Sequence, residues 1–145
     1  MASRHPVLVV AHGGNPRGAD FLAGHWARRQ RAAGRPVTEE ARPADWGAPC
    51  RPECRPGHRR RRGRGPEYCP AAGNYRNQEL LVDRGAGGCL AFFQAGAPNR
   101  GTSDCVRRAV TAGIPVWPLG AVPPAIAALL GQVRRETAGG PAAAP

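Results

Sequence analysis

The sequence predicts an α/β fold: an open, mainly parallel sheet with helices on both faces and an insertion at residues 43–70. Three observations predict it. Apolar runs of strand length alternate with amphipathic segments of helix length. Glycine-rich turns follow two of those runs, and the stretch 43–70 is rich in Pro, Gly, Arg and Cys without apolar periodicity. Since parallel strands need crossover helices, this alternation predicts a parallel sheet. We expect 1–136 to form a single domain and 137–145 a disordered tail.

The first half of the chain predicts two strands around one helix. Val7–Val10 is an apolar run bounded by Pro6 and a Gly-Gly turn, so it predicts a buried strand. Asp20–Arg31 predicts a helix, and Gly34 occupies the usual position after a helix C-terminus. Pro36–Ala41 predicts a short second strand at an edge. The apolar face of the helix is expected to comprise Phe21, Leu22, Trp26 and Ala27.

The second half continues the alternation. Its predicted elements are helix Asn74–Arg84, strand Cys89–Phe93, helix Thr102–Ala112, strand Pro115–Leu119 and helix Pro124–Arg135. Leu80 and Leu81 are expected to point inward, as are Val106, Ala109 and Val110. Cys89, in a strand, and Cys105, on an apolar helix face, are expected to be small buried hydrophobic residues.

Composition restricts the class of protein. The 145 residues suffice for one core, and no apolar run approaches the roughly 20 residues that span a bilayer. We expect a cytoplasmic protein without a membrane partner, and self-association is left open. The net charge of +11 favours a nucleic-acid partner, but all 21 basic residues are arginine. Together with abundant Ala, Gly and Pro, this indicates a coding sequence rich in G and C, so nucleic acid is not the favoured partner.

Two strand-to-helix turns are rich in glycine. Such turns offer backbone N–H groups and a positive helix end to an anion. Some residues of these turns have an alternative role that involves no ligand. Asp20 and Thr102 can each act only as a helix cap, and His12 can be purely structural. A phosphate-bearing small ligand is therefore predicted, with an Arg-Asn pair between the turns. The candidate ligand-binding residues are His12, Gly13, Gly14, Arg17, Gly18, Asp20, Arg76, Asn77, Gly101 and Thr102.

The insertion contains four metal-binding residue types, Cys50, Cys54, His58 and Cys69, at the spacing C-x3-C-x3-H-x10-C. Four such ligands in a segment that cannot build a core predict a tetrahedral zinc site with a structural role. One alternative is a disordered arginine-rich insertion whose thiols bind no metal. The other is a disulfide, which the reducing cytosol disfavours. If zinc folds the segment, the run His58–Arg62 becomes a fixed cationic surface.

Five short motifs, in order, resemble the YspA (cpYpsA-related) branch of the SLOG superfamily. They are HGGxxRGAD at 12–20, PADW at 43–46, AGxxRN at 72–77, GTxD at 101–104 and GIPV at 113–116. The resemblance covers about Val7 to Leu119. It implies a Rossmann-like fold and binding of a nucleotide or nucleotide derivative. Members of this branch usually begin with one further strand, whereas six residues precede Val7. Either the start codon is misassigned or a piece of the pocket is lacking.

A more distant resemblance concerns the Lonely Guy phosphoribohydrolases, which use an arginine and a glutamate near a glycine-threonine loop. Arg76 and Asp104 are the catalytic candidates that this resemblance implies. The glutamate of those enzymes would fall at Cys105, one position from Asp104, so hydrolysis is expected to be slow or absent.

The sequence therefore predicts a protein that binds a nucleotide-like small molecule, as a sensor or carrier. One alternative is a nucleotide hydrolase that cleaves the N-glycosidic bond, and another is a nucleic-acid-binding accessory protein that uses the arginine-rich loop.

Overall fold

Strand β1 (Leu8–His12), helix α1 (Gly18–Ala32) and strand β2 (Val37–Ala41) form a β–α–β unit at the start of the chain. The structure, a computed structural model, describes residues 7–138. β1 and β2 pair in parallel, from Leu8 opposite Val37 to His12 opposite Ala41, and α1 packs against both. Both predicted strands form, with β1 shifted to Leu8–His12. The prediction that the first strand is buried is wrong, because Leu8 and Val9 are each 51% exposed.

The buried face of α1 differs from the predicted one. Ala27 is 1% exposed and Gly24 is also buried, but the large side chains beside them are 45–64% exposed. A Cβ at Gly24 would lie 3.0 Å from His12 Nε2, so small residues let the helix approach the sheet closely. The prediction is right for Ala27 and wrong for Phe21, Leu22 and Trp26.

The insertion contains regular structure that the sequence did not predict. Strands β3 (Arg60–Arg61) and β4 (Glu67–Tyr68) pair as an antiparallel hairpin. Strands of two residues are too short to leave a periodic pattern. Helix α2 (Ala72–Gln78) follows, and a π-helical turn, Glu79–Asp83, extends it.

The remainder of the described chain contains β5 (Cys89–Phe93), α3 (Arg100–Thr111), β6 (Val116–Gly120) and α4 (Pro124–Ala138). β5 and β6 pair in parallel, from Cys89 opposite Val116 to Phe93 opposite Gly120. Alternate β5 residues face the core, as expected for a half-buried strand. Cys105 packs at the margin of this core. The buried core residues are Leu81, Cys89, Ala91, Phe93, Val106, Ala109 and Ile126.

The contacts divide the chain into two compact units, Met1–Leu80 and Leu81–Pro145. The described strands pair within three two-stranded sheets. A mixed α/β fold with short parallel sheets is confirmed, and the continuous Rossmann-like sheet and the single domain remain predictions. Helix α4 includes Thr137 and Ala138, and the disordered tail remains a prediction. There, the Thr137 hydroxyl donates to the carbonyls of Val133 and Arg134. Residues 139–145 lie outside the described residues.

Candidate metal centre and adjacent pocket

The four predicted metal ligands come together in the first unit. Their ligand atoms all lie within 4.8 Å of one another. Cys54 Sγ lies 3.8 Å from Cys69 Sγ, and His58 Nε2 lies 3.0 Å from Cys50 Sγ and 3.4 Å from Cys69 Sγ. Cys69 is 2% exposed, whereas Cys54 and His58 are half-buried. These side chains could therefore bind a metal ion.

Tight turns and one arginine shape the insertion around this cluster. The backbone N–H of Cys54 donates to the carbonyl of Arg51, and that of His58 to the carbonyl of Arg55. The Arg59 guanidinium donates to the carbonyls of Ala48 and Glu67, each at 2.8 Å. Arg59 thus ties together the two ends of the insertion, although the sequence places it within an arginine run.

The thiols differ in their electrostatic surroundings. The Tyr75 hydroxyl lies 2.9 Å from Cys54 Sγ. This hydrogen bond lowers the pKa of the Cys54 thiol and raises the pKa of Tyr75 to about 12. Burial raises the pKa of the Cys69 thiol, because desolvation disfavours the charged form. A bound cation would compensate the charge of a buried thiolate, as metal sites require.

One of the distances has the value expected for a four-coordinate ion. Two thiolates bound to zinc at about 2.3 Å in a tetrahedron lie about 3.8 Å apart. The Cys54 to Cys69 distance has this value. Three sulfurs and one imidazole nitrogen are a common donor set for structural zinc.

A cavity of about 340 Å³ lies beside the cluster within the same unit. It opens where β2 ends, and its walls come from the segment after β2, the insertion and α2. Its volume lies within the usual range of small-molecule sites. Its lining residues are Ala41, Arg42, Pro43, Asp45, Ala48, Pro49, Arg51, Cys69, Ala72, Tyr75, Arg76 and Glu79.

Arg76, one of the predicted ligand contacts, lies on α2 and lines this cavity. Its Nη1 donates to the carbonyl of Arg42 at 3.1 Å, and its Nε donates to Asn77 Oδ1 at 3.0 Å. A Cβ at Gly13 would overlap the guanidinium. The structure therefore brings Arg76 and the first glycine turn together. Asn77 is 3% exposed, so its amide positions Arg76 from below the surface.

His12 orders the first glycine turn. Its Nδ1 accepts from the Gly14 N–H at 3.1 Å, so Nε2 carries the hydrogen that points to Glu39 Oε1, also at 3.1 Å. Arg28 Nη1 donates to Glu39 Oε2 at 2.7 Å. The hydrogen bond from His12, reinforced by Arg28, lowers the pKa of the Glu39 carboxyl. Gly14 has a φ of +70°, which glycine adopts without strain.

Hydrogen bonds among its own residues stabilise the rest of this turn. Asp20 Oδ2 accepts from the Asn15 N–H, and Asn15 Oδ1 accepts from the Arg17 N–H, both at 3.1 Å. Arg17 stands at the N-cap of α1, immediately before Gly18, and its side chain is exposed. Asp20 therefore lies in the first helical turn and stabilises the loop, while Arg17 stays accessible.

The other predicted ligand-binding and catalytic residues belong to the second unit. Gly101 and Thr102 lie in the first turn of α3, whose N-cap is Asn99 and not Thr102. The Thr102 hydroxyl donates to the carbonyl of Phe92 at 3.5 Å. Asp104, the catalytic candidate, accepts from Arg108 Nε at 2.8 Å.

Sequence reasoning missed most of the residues that line the cavity, among them Arg42, Arg51 and Tyr75. Arg42 directly follows β2, and the carboxyl ends of neighbouring parallel strands share an edge, so its position was a usable signal. Arg51 lies with its guanidinium 4.3 Å from the centre of the Tyr75 ring. This contact joins the insertion to α2, and the sequence gives no sign of it.

The fold and this site define an α/β protein with a Cys/His cluster that could bind a metal ion. The chain is 40% identical over 116 residues to the Gene 61 protein of Mycobacterium phage D29, covering 80% of this chain and 74% of that protein. It therefore belongs to the family of that phage protein. No protein-family profile and no solved structure match the chain. Within residues 7–138, no helix is long and apolar enough to cross a membrane.

Proposed function

We propose that this protein binds a nucleotide or nucleotide-derived small ligand, as a sensor or carrier, in the cavity beside Arg76. The observation that carries the proposal is the Arg76 guanidinium, fixed against the first glycine turn and lining a cavity of about 340 Å³. A guanidinium binds a phosphate through two parallel hydrogen bonds. The motifs that resemble the SLOG superfamily support the same ligand class.

The charges around the cavity favour an anion. Three arginines line it, Arg42, Arg51 and Arg76, against two carboxylates, Asp45 and Glu79. Asp45 Oδ1 already accepts from the N–H groups of Gly47 and Ala48, at 3.1 and 3.0 Å. Among the lining residues, guanidinium groups suited to a phosphate therefore outnumber carboxylates, although Arg42 Nη2 also lies 3.7 Å from Glu40 Oε2.

We also propose that the metal of the Cys/His cluster is zinc, in a structural role. Cys50, Cys54, His58 and Cys69 would supply all four ligands of a tetrahedral ion, leaving no position for a substrate. The sulfur-rich donor set and the Cys54 to Cys69 distance support this choice.

Binding is favoured over hydrolysis by the state of Asp104. A carboxylate that stabilises a developing ribosyl cation must face the reacting bond. Asp104 is instead in an ion pair with Arg108 on the next helical turn. The protein is therefore proposed as a ligand-binding protein and not as a phosphoribohydrolase.

A thermal-shift panel tests the proposal. Zinc-loaded protein is heated with AMP, ADP-ribose and cyclic dinucleotides, with adenosine as the uncharged control. We expect a phosphate-bearing compound to raise the melting temperature, because a ligand that binds the folded state stabilises it. A panel in which no phosphate-bearing compound exceeds adenosine would contradict the proposal.

A further inference from the structure

The candidate metal centre and the cavity share a wall. Cys50 lies between Pro49 and Arg51, which both line the cavity, and Cys69 lines it directly. Two of the four metal ligands are therefore part of the cavity wall or adjacent to it in the chain. A change in the position of either ligand must move atoms of the wall.

Tyr75 provides a second connection. Its hydroxyl contacts Cys54 Sγ at 2.9 Å, and its ring lies against the Arg51 guanidinium. Tyr75 and Arg51 both line the cavity, and Tyr75 immediately precedes Arg76 on α2. The same side chain thus contacts a metal ligand on one side and a cavity arginine on the other.

We propose that metal binding orders this wall, so that metal occupancy sets the affinity of the cavity for a phosphate-bearing ligand. The affinity part rests on the proposed ligand, and the ordering of the wall rests on the proposed metal alone. The cavity would then bind the ligand more tightly in the metal-loaded protein than in the metal-free protein.

The physical reason lies in the composition of the insertion. The hairpin has two-residue strands, and Cys69 is the buried residue of the segment 43–70. With so little apolar burial, the metal–ligand bonds are the main force that can offset the entropy of ordering the segment. Without metal, Pro49 and Arg51 lose their fixed position relative to Arg76.

Coupling between two sites is reciprocal. We expect removal of zinc to weaken AMP binding by about 10-fold or more, within the range of typical couplings. Saturating AMP must then tighten zinc binding by the same factor.

Hydrogen exchange measured by mass spectrometry tests the ordering directly. The full-length protein is compared zinc-loaded, after chelation, and after zinc is added back. We expect faster exchange at residues 41–51 and 69–79 after chelation, reversal on zinc addition, and unchanged exchange at residues 89–119. AMP affinity is measured on the same three samples by calorimetry.

Two variants control for folding. Cys54→Ser/Cys69→Ser should exchange like the chelated protein, whereas Cys105→Ala, which removes a thiol outside the cluster, should behave like wild type. The protection of residues 8–32, which lie in the same unit as the cluster but outside the insertion, reports whether that unit of the double variant still folds.

The outcomes separate the two claims. Unchanged exchange at residues 41–51 and 69–79 on zinc removal overturns this inference, whether or not AMP binds. Faster exchange without AMP binding in any sample supports the ordering of the wall and counts against the proposed function. Protein that takes up no zinc also overturns this inference, because the inference requires metal binding at the cluster.

Discussion

Arg76 is held in place by hydrogen bonds to its own neighbours. The carbonyl of Arg42 and the amide of Asn77 accept its hydrogen bonds, and the missing side chain of Gly13 leaves space for it. A guanidinium that is already fixed loses less conformational entropy when it binds an anion. At the scale of single residues, this preorganisation is the strongest argument for a phosphate site.

Gly13→Ala tests the role of this space. The new methyl group would overlap the guanidinium, so Arg76 must move. We expect AMP affinity, measured by equilibrium dialysis, to fall by about 10-fold or more, the cost of losing one charged hydrogen bond. Gly87→Ala is the matched control, because its Cβ would enter open space. Equal AMP affinities for the two variants would show that AMP binding does not require the present position of Arg76.

A second prediction concerns the hydrogen bonds of Glu39 with His12 and Arg28. They lower the pKa of the carboxyl below its ordinary value of 4.5, so the folded state binds a proton less readily than the unfolded chain. The stabilisation is therefore complete above pH 4.5 and is lost as the pH falls through the lower folded-state pKa.

Urea denaturation across this acid range measures the effect. The free energy of unfolding of wild type should exceed that of Glu39→Gln at higher pH, and this difference should disappear as the pH falls below 4.5. A Glu39→Gln difference that is constant with pH would exclude this linkage.

At the scale of elements, the insertion is the segment that depends most on polar contacts and least on apolar packing. Its hairpin and turns are held by Arg59, by the Trp46 carbonyl, which accepts from the Cys69 N–H at 3.0 Å, and by the Cys/His cluster. A segment so poor in buried apolar surface depends on specific polar contacts, to which a metal bound at the cluster would add its ligand bonds.

Metal analysis of protein purified without chelator tests the cluster. We expect about one zinc per chain, because four ligands complete one tetrahedral site. Cys54→Ser/Cys69→Ser should lose the zinc, since it removes two thiolates, and Cys105→Ala should keep it. Zinc content that is unchanged in the double variant would place the metal elsewhere.

The sequence predicted those elements whose residues repeat with a clear period. β5 alternates buried and exposed side chains, and its predicted bounds are confirmed. α1 was placed correctly, but its buried face was not, because the small Gly24 and Ala27 make the close contact and hydrophobicity alone favours the larger neighbours.

The Cys/His cluster was predictable from spacing, whereas the cavity as a whole was not, although the position of Arg42 after β2 was one usable signal. Four Cys and His residues within a short segment have few other uses. The cavity instead depends on a parallel pairing that places Arg42 beside α2, and on the contact between Arg51 and Tyr75. Such contacts join segments distant in sequence, and no local pattern marks them.

At the scale of the whole molecule, the class of activity is the main question. We expect the zinc-loaded full chain to release little or no ribose 5-phosphate from nucleoside monophosphates. Asp104 is engaged by Arg108, and a shift of one residue on a helix turns a side chain by about 100°. A colorimetric assay for ribose 5-phosphate checks this. Robust release that disappears in Asp104→Asn would place the protein among the enzymes.

Phosphate binding by Arg76 is tested most directly by isothermal titration calorimetry of the zinc-loaded protein with the phosphate-bearing compound that most raises its melting temperature. Arg76→Ala should bind it about 10- to 150-fold more weakly, since a hydrogen bond to a charged group contributes about 1.5–3 kcal/mol. Arg29→Ala, which removes an exposed arginine from α1 in the same unit, should bind like wild type. Wild-type affinity in Arg76→Ala would contradict the proposed site.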